Sequence, residues 1–281
     1  MVGTSTVTAT ATQPAEQVVA DGPVLLDLIG DIAKIRLNRP QASNGISIEL
    51  LKALYEVIMI CHGEPRIRAV LLSGEGPNFC AGGDVRQFAA KGEQLPDFLR
   101  QATAYLQISA SALMRLEAPV IAVVQGYAAG GGGLGLVCAS DMVIAGASAK
   151  FMGGATRVGM APDAGLSVIL PRLVGFRRAT DILMTNRVLG AAEALEIGLI
   201  SRIAADNELN DEAMKLARQI ADGAPRALAA TKRLLWNGIG LSVEACLPEE
   251  ARTVSELSGT QDSREGLAAV IERRVPRFVG R

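Results

Sequence analysis

Apolar positions along this chain follow two rhythms. Val24–Ile29 and Ile32–Leu37 are short apolar runs joined by Gly30-Asp31, the pattern of a β-hairpin. After the turn-forming stretch 40–45 the period lengthens, and Ile48, Leu51, Leu54, Tyr55 and Ile58 recur at helical spacing. Residues 69–72 read as a strand entering Ser73-Gly74-Glu75-Gly76-Pro77, and 85–96 as a mobile segment. A helix over about 97–116, a strand at Val120–Val124, a glycine run at 130–133 opening the apolar helix 134–139, and a strand at 142–145 alternate as right-handed β-α units do. Past Asp163 the pattern is helical, with amphipathic stretches at 177–185, 191–197, 210–221, 226–236 and 243–257. The expected class is α/β, with a body over 21–200 and a helical C-terminal region over 201–281.

Composition sharpens this picture. Apolar residues make up 49% of the 281 but aromatics only 4%, so the core is aliphatic, as suits buried strands covered by helices. Lys and Arg number 28 against 29 Asp and Glu, a net charge of -1 that gives nucleic acid or an anionic membrane no general attraction. The cysteines Cys61, Cys80, Cys138 and Cys246 have no CxxC spacing, so neither disulfides nor a structural zinc site is expected. Charge, Gly or Pro interrupts every apolar tract before membrane-spanning length. Residues 1–20 hold no Lys or Arg and match neither a secretory signal nor a transit peptide; they read as a flexible extension of a soluble, cytoplasmic protein.

Two glycine-rich segments carry the candidate chemistry. Asn78-Phe79-Cys80-Ala81-Gly82-Gly83-Asp84 follows a strand, and its small residues let a ligand approach the backbone; alone, it also reads as a tight turn. Gly126-Tyr127-Ala128-Ala129-Gly130-Gly131-Gly132-Gly133-Leu134-Gly135 follows another strand and starts a helix, where unpaired N–H groups and the positive end of the helix dipole suit an anion. Neither GxxxxGK[ST] nor a Rossmann GxGxxG with a following ribose-binding acid is present, which argues against a nucleotide phosphate. Close helix–strand packing is the other use of such a run.

Together with Leu37-Asn38-Arg39-Pro40-Gln41-Ala42-Ser43-Asn44 and Leu170-Pro171-Arg172-Leu173-Val174-Gly175, these segments resemble the signatures of the crotonase (enoyl-CoA hydratase/isomerase) family over roughly residues 24–280. The resemblance implies the ClpP/crotonase-like fold, a repeated ββα spiral core with a helical trimerisation region. It also implies a coenzyme A thioester as substrate, no permanently bound cofactor, no metal, and a homotrimer or dimer of trimers. One amide from each glycine segment would form the oxyanion hole, carried here by Gly83 and Gly132, with Gly131 as the neighbouring choice because the run is one residue longer than the usual form. Ala42, Ala81 and Gly82 would lie against the substrate's coenzyme A part. Arg273, beside Arg274, would either meet its phosphates or belong to a solvated basic tail. Two preorganised donors suit a thioester oxygen that gains charge, at about 3–4 kcal/mol per donor.

Hydratases of this family use two glutamates, but Gly135, with Leu134 as the neighbouring option, and Ala155 stand at the corresponding positions. The remaining acid, Asp163 in Met160-Ala161-Pro162-Asp163-Ala164-Gly165, reads locally as a helix N-cap. Family members that move double bonds place a catalytic Asp there, and the aryl-CoA dehalogenases use one as nucleophile. The dehalogenases' activating histidine is replaced by Gln107, and the one histidine, His62, ends a predicted helix. Cys80 reads as packing and Asp84 as a turn or cap residue. An enoyl-CoA isomerase with Asp163 as proton shuttle is therefore the expected function. The alternatives are a divergent hydratase using Asp163 or Glu75, and a non-catalytic acyl-CoA-binding protein.

Overall fold

The computed structural model describes residues 14–281, so most of the expected extension lies outside the described residues. Its end departs from the flexible reading: β1 (Glu16–Val19) pairs antiparallel with β2 (Val24–Ile29). The expected hairpin joins β2 to β3 (Ile32–Leu37), with Gly30 at φ 65° in the turn. The later strands are β4 (Ala69–Gly74), β5 (Val120–Val124), β6 (Tyr127–Ala129), β7 (Met142–Gly146), β8 (Lys150–Met152), β9 (Leu189–Gly190) and β10 (Arg202–Ala204). Seven of them form one sheet in the order β1-β2-β3-β4-β5-β7-β10, parallel from β3 onward. The short strands β6, β8 and β9 make a second sheet that hydropathy did not announce.

The parallel strands are buried on both faces, and alternation decides which helix each side chain meets. Ala33, Ile35, Val70, Leu72, Val120 and Ala122 face the larger core, beneath α1 (Ile48–Gly63). Ile32, Ala69, Leu71, Ile121, Val123 and Ile144 face the other way. In α1 the Ser47 hydroxyl accepts the Leu50 N–H at 3.2 Å, and Leu50, Leu51, Leu54, Val57, Ile58 and Cys61 form its buried stripe. The segment expected to be mobile is folded as α2 (Val85–Ala89) and a 3₁₀ turn (Gly92–Gln94) leading into α3 (Leu95–Arg115).

The remaining helices are α4 (Leu136–Cys138), α5 (Leu166–Val174), α6 (Phe176–Thr185), α7 (Ala191–Glu196), α8 (Leu209–Ala221), α9 (Pro225–Gly238), α10 (Val243–Ser258) and α11 (Gln261–Glu272). Although it follows the boundary expected at residue 200, α8 closes the second face of the sheet with Ala213, Leu216, Ala217 and Ile220. α9 is tied to the body by Lys232, whose buried ammonium meets Asp141 at 2.8 Å and the carbonyls of Leu113 and Ala118. Asp141 also accepts the Trp236 indole N–H at 2.7 Å. Among the described residues no helix is long and apolar enough to cross a membrane.

Candidate active site

The loop that leaves β4 is stitched to the strand carrying the second glycine segment. Asn78 Oδ1 accepts the Tyr127 N–H at 2.9 Å, Phe79 donates to the Gln125 carbonyl, Cys80 donates to that of Tyr127, and Ala129 donates back to Cys80 at 2.9 Å. This parallel bridge brings the two glycine segments together. At the contact Gly82 takes φ 99°, and a Cβ there would stand 3.1 Å from the Ala129 carbonyl oxygen. Backbone therefore meets backbone where only glycine fits.

A third loop is held by Asn44, which is fully buried at φ 54°. Its Oδ1 accepts the Arg39 N–H at 2.8 Å, and its Nδ2 donates to the carbonyls of Glu75 at 2.9 Å and Asn78 at 2.8 Å. Ile46, two residues on, pairs with the first glycine segment: its N–H donates to the Gly82 carbonyl at 2.8 Å. Asn44→Ala is expected to cost about 2–4 kcal/mol, because it removes the partner of three part-buried backbone groups. The check is the denaturant midpoint at constant slope. A change within about 0.5 kcal/mol would remove Asn44 as the pin.

The second segment does not enter an α-helix directly. Gly131–Gly135 form a π turn that runs into α4, a wider loop of chain that accommodates one residue more than an α turn. The N–H groups of Gly131 and Gly132 lie in the first turn, where no helical carbonyl precedes them.

A cavity of about 540 Å³ opens on these segments. Ala81, Gly82, Gly83, Gly130, Gly131 and Gly132 contribute the backbone side, α2 adds Val85 and Phe88, and α3 adds Leu99, Ala102, Thr103 and Leu106. Met152 and the loop over 154–163 complete it. The candidate donors at 83 and 132 therefore line one space. A Cβ on Gly83 would lie 2.5 Å from Phe88 Cζ, and one on Gly132 2.8 Å from Ile46 Cδ1 and 3.2 Å from Cys80 Sγ.

Asp163 stands on the same wall, its carboxyl resting on the bare Cα of Gly131. A Cβ at 131 would fall 2.6 Å from Asp163 Cγ and closer still to Oδ1. The N-cap reading fails, since α5 starts after Gly165 with no side-chain cap. Burial pushes the Asp163 carboxyl above the ordinary aspartate range, opposed only by a backbone hydrogen bond. Of the two hydratase glutamate positions, Ala155 lines the cavity, whereas Gly135 packs elsewhere, a Cβ there reaching 2.6 Å from that of Ala164. Asp163 is the one carboxylate on the cavity wall.

The other candidates lie away from this wall. Ala42 ends a 3₁₀ turn (Pro40–Ala42), and Arg273 caps α11 at φ 54°. Glu75 pairs with Arg36 at 2.6 Å and does not line the cavity. Asp84 caps α2 by accepting the Gln87 N–H at 3.1 Å and pairs with Arg39 at the same distance. His62 sits at the exposed end of α1 against the Ala112 carbonyl, and Gln107 is exposed on α3. Cys80 is fully buried, its thiol pushed up to about 12 by burial, so it supplies no thiolate.

Sequence reasoning missed the α3 lining together with Met152 and Arg157. The signal available for α3 was its apolar stripe, which continues past the core residues Ala102 and Leu106 to Leu99 near the start of the helix. A second cavity of about 560 Å³, between α3 and α9–α10, has its buried cation Lys232 held by Asp141 and its Arg233 by Glu249 at 2.7 Å.

A family model described as enoyl-CoA hydratase/isomerase matches residues 29–281. A probable enoyl-CoA hydratase from Rhodobacter capsulatus is 37% identical over 250 residues, covering 89% of this chain and 95% of the relative. A 4-chlorobenzoyl coenzyme A dehalogenase from Arthrobacter is 31% identical over 250 residues, covering 89% and 90%. The solved enoyl-CoA hydratase from Bacillus anthracis superimposes with a TM-score of 0.87 at 32% identity, covering 92% of this chain and 100% of the other.

Proposed function

The chain belongs to the enoyl-CoA hydratase/isomerase family, the crotonase superfamily, and from that membership we propose that it moves a carbon–carbon double bond within an acyl-CoA thioester, with Asp163 as the proton shuttle and the amides of Gly83 and Gly132 as the oxyanion hole. The observation that carries this reading is the single carboxylate on the cavity wall among the described residues, half-buried and raised in pKa.

The thioester carbonyl acidifies the carbon beside it and, through a double bond, the carbon two further on. Asp163 takes a proton from one of these, the electron pair delocalises on to the carbonyl oxygen, and two N–H groups stabilise the oxyanion. The protonated Asp163 then returns the proton at the other carbon, and the double bond moves with no net gain or loss of atoms. One carboxylate suffices for both transfers. Its raised pKa brings it nearer to the pH at which a proton is both taken and returned.

Hydration is the second reading, favoured by the relative named as a hydratase. It needs a water held and activated, a task for which Ala155 offers no polar group. The two are separated by product analysis on a panel of enoyl and dienoyl thioesters in deuterated water. We expect a shifted double bond, with deuterium at the receiving carbon only to the extent that the protonated Asp163 exchanges with solvent before it returns its proton. A 3-hydroxyacyl product formed as the main species would replace isomerisation by hydration.

The homotrimer or dimer of trimers implied by the resemblance is supported by apolar side chains left exposed on the last two helices and beyond, among them Val243, Val254, Val270, Ile271 and Val275. Ala81 and Gly82 on the cavity wall, with Ala42 and Arg273 further off, are the proposed contacts for coenzyme A.

A further inference from the structure

Asp163 has one charged companion on the cavity wall, Arg157. It belongs to the 3₁₀ turn Ala155–Val158, six positions before Asp163 along the same loop. Among the described residues no carboxylate lies within ion-pair distance of its guanidinium, and the hydrogen-bonding contact it makes is Nη1 with Met152 Sδ at 3.8 Å. The neighbouring wall is apolar, with Met152, Val158 and Met160. Arg157 is exposed at the rim of the cavity, where its guanidinium is open to a ligand, and a cation at that place offers nothing to a plain hydrocarbon chain.

Its position relative to the glycine run says which end of a ligand it would meet. Gly130 is flanked by Gly82 on one side, a Cβ at Gly130 lying 3.5 Å from the Gly82 Cα. On the other side stands Gly154, where a Cβ would lie 3.5 Å from the Gly130 nitrogen and 3.8 Å from the Met152 methyl. Ala81 thus adjoins one flank of the run, and Met152 with Arg157 the opposite flank. A thioester whose carbonyl sits at the run and whose coenzyme A part leaves past Ala81 directs its acyl group towards Arg157.

We propose that Arg157 is a specificity residue that receives a carboxylate at the far end of the acyl group, so that the preferred substrates are thioesters of dicarboxylic acids. The inference rests on the reading of this cavity as an acyl-thioester site. The planar guanidinium donates two parallel N–H bonds to a carboxylate, whose paired acceptors a neutral acyl chain lacks. The same cation could instead meet an anionic phosphate of coenzyme A, and the test distinguishes the two sources.

Dissociation constants are measured by calorimetry for matched saturated pairs, butyryl-CoA with succinyl-CoA and hexanoyl-CoA with adipoyl-CoA, and for free coenzyme A. These need no turnover. The wild-type chain is expected to bind at least one dicarboxylic member about tenfold or more tighter than its neutral match, and Arg157→Gln to collapse that ratio towards one. No preference in a chain that binds thioesters overturns the inference alone. An equal loss in Arg157→Gln for every thioester and for free coenzyme A assigns Arg157 to the phosphates and overturns it as well. Failure of every thioester to bind the wild-type chain overturns both the inference and the reading beneath it.

Discussion

Asp163→Asn is expected to lower turnover by about 10²–10⁴-fold while leaving acyl-CoA affinity close to that of the wild type. The amide matches the carboxylate in shape, so the cavity keeps its form and its backbone donors, and only the capacity to take and return a proton is lost. Burial holds the native carboxyl above the ordinary aspartate range, so the acid limb of the kcat/KM profile of the wild type is expected at higher pH than a solvated aspartate would place it. The residual activity of the variant is expected to lack that limb.

Stability carries the opposite sign. The folded chain holds the Asp163 proton to higher pH than the unfolded chain does, so the stability associated with this group falls as pH rises from the unfolded pKa through the folded one. Asn removes that cost, and the variant is expected to melt no lower than the wild type at neutral pH. Full turnover in Asp163→Asn, followed on the thioester panel, would take the residue out of the mechanism.

Much of this was legible in the sequence, for reasons that differ between elements. The β2–β3 hairpin announced itself because a Gly-Asp pair interrupts two short apolar runs. α1 did so because its apolar residues keep helical spacing over sixteen residues. β6, β8 and β9 are two or three residues long, too short for any period to develop, and they exist because tertiary pairing supplies their hydrogen bonds. β1 was hidden by exposure: it is an edge strand whose side chains face mostly solvent. Asp163 was found only through family resemblance, since acid-before-helix has a commoner meaning that the cap geometry of α5 then removed. The π turn had a faint signal in the run of four glycines. Arg157 had none, because its significance lies in what does not pair with it.

Gly131→Ala is expected to lower kcat by about 10²-fold or more, although it adds a single methyl group. That methyl would occupy the place of the Asp163 carboxyl, with 2.6 Å to Cγ and less to Oδ1. The carboxyl sits at the edge of an open cavity rather than in the closed core, so the side chain can swing aside and the fold is expected to survive, as a thermal melt would check.

A double-mutant cycle separates the two ways in which the substitution could act. If Gly131 works by seating Asp163, the loss caused by Gly131→Ala is expected to disappear in the Asp163→Asn background, where there is no base left to misplace. Gly132→Ala provides the contrast, because its methyl would press on Ile46 Cδ1 at 2.8 Å and Cys80 Sγ at 3.2 Å. That displaces the proposed oxyanion donor without touching the base, so its loss is expected to multiply with that of Asp163→Asn. Multiplicative losses for Gly131→Ala as well would show that position 131 acts through the donors, and the carboxylate would then owe its position to the 160–165 loop alone.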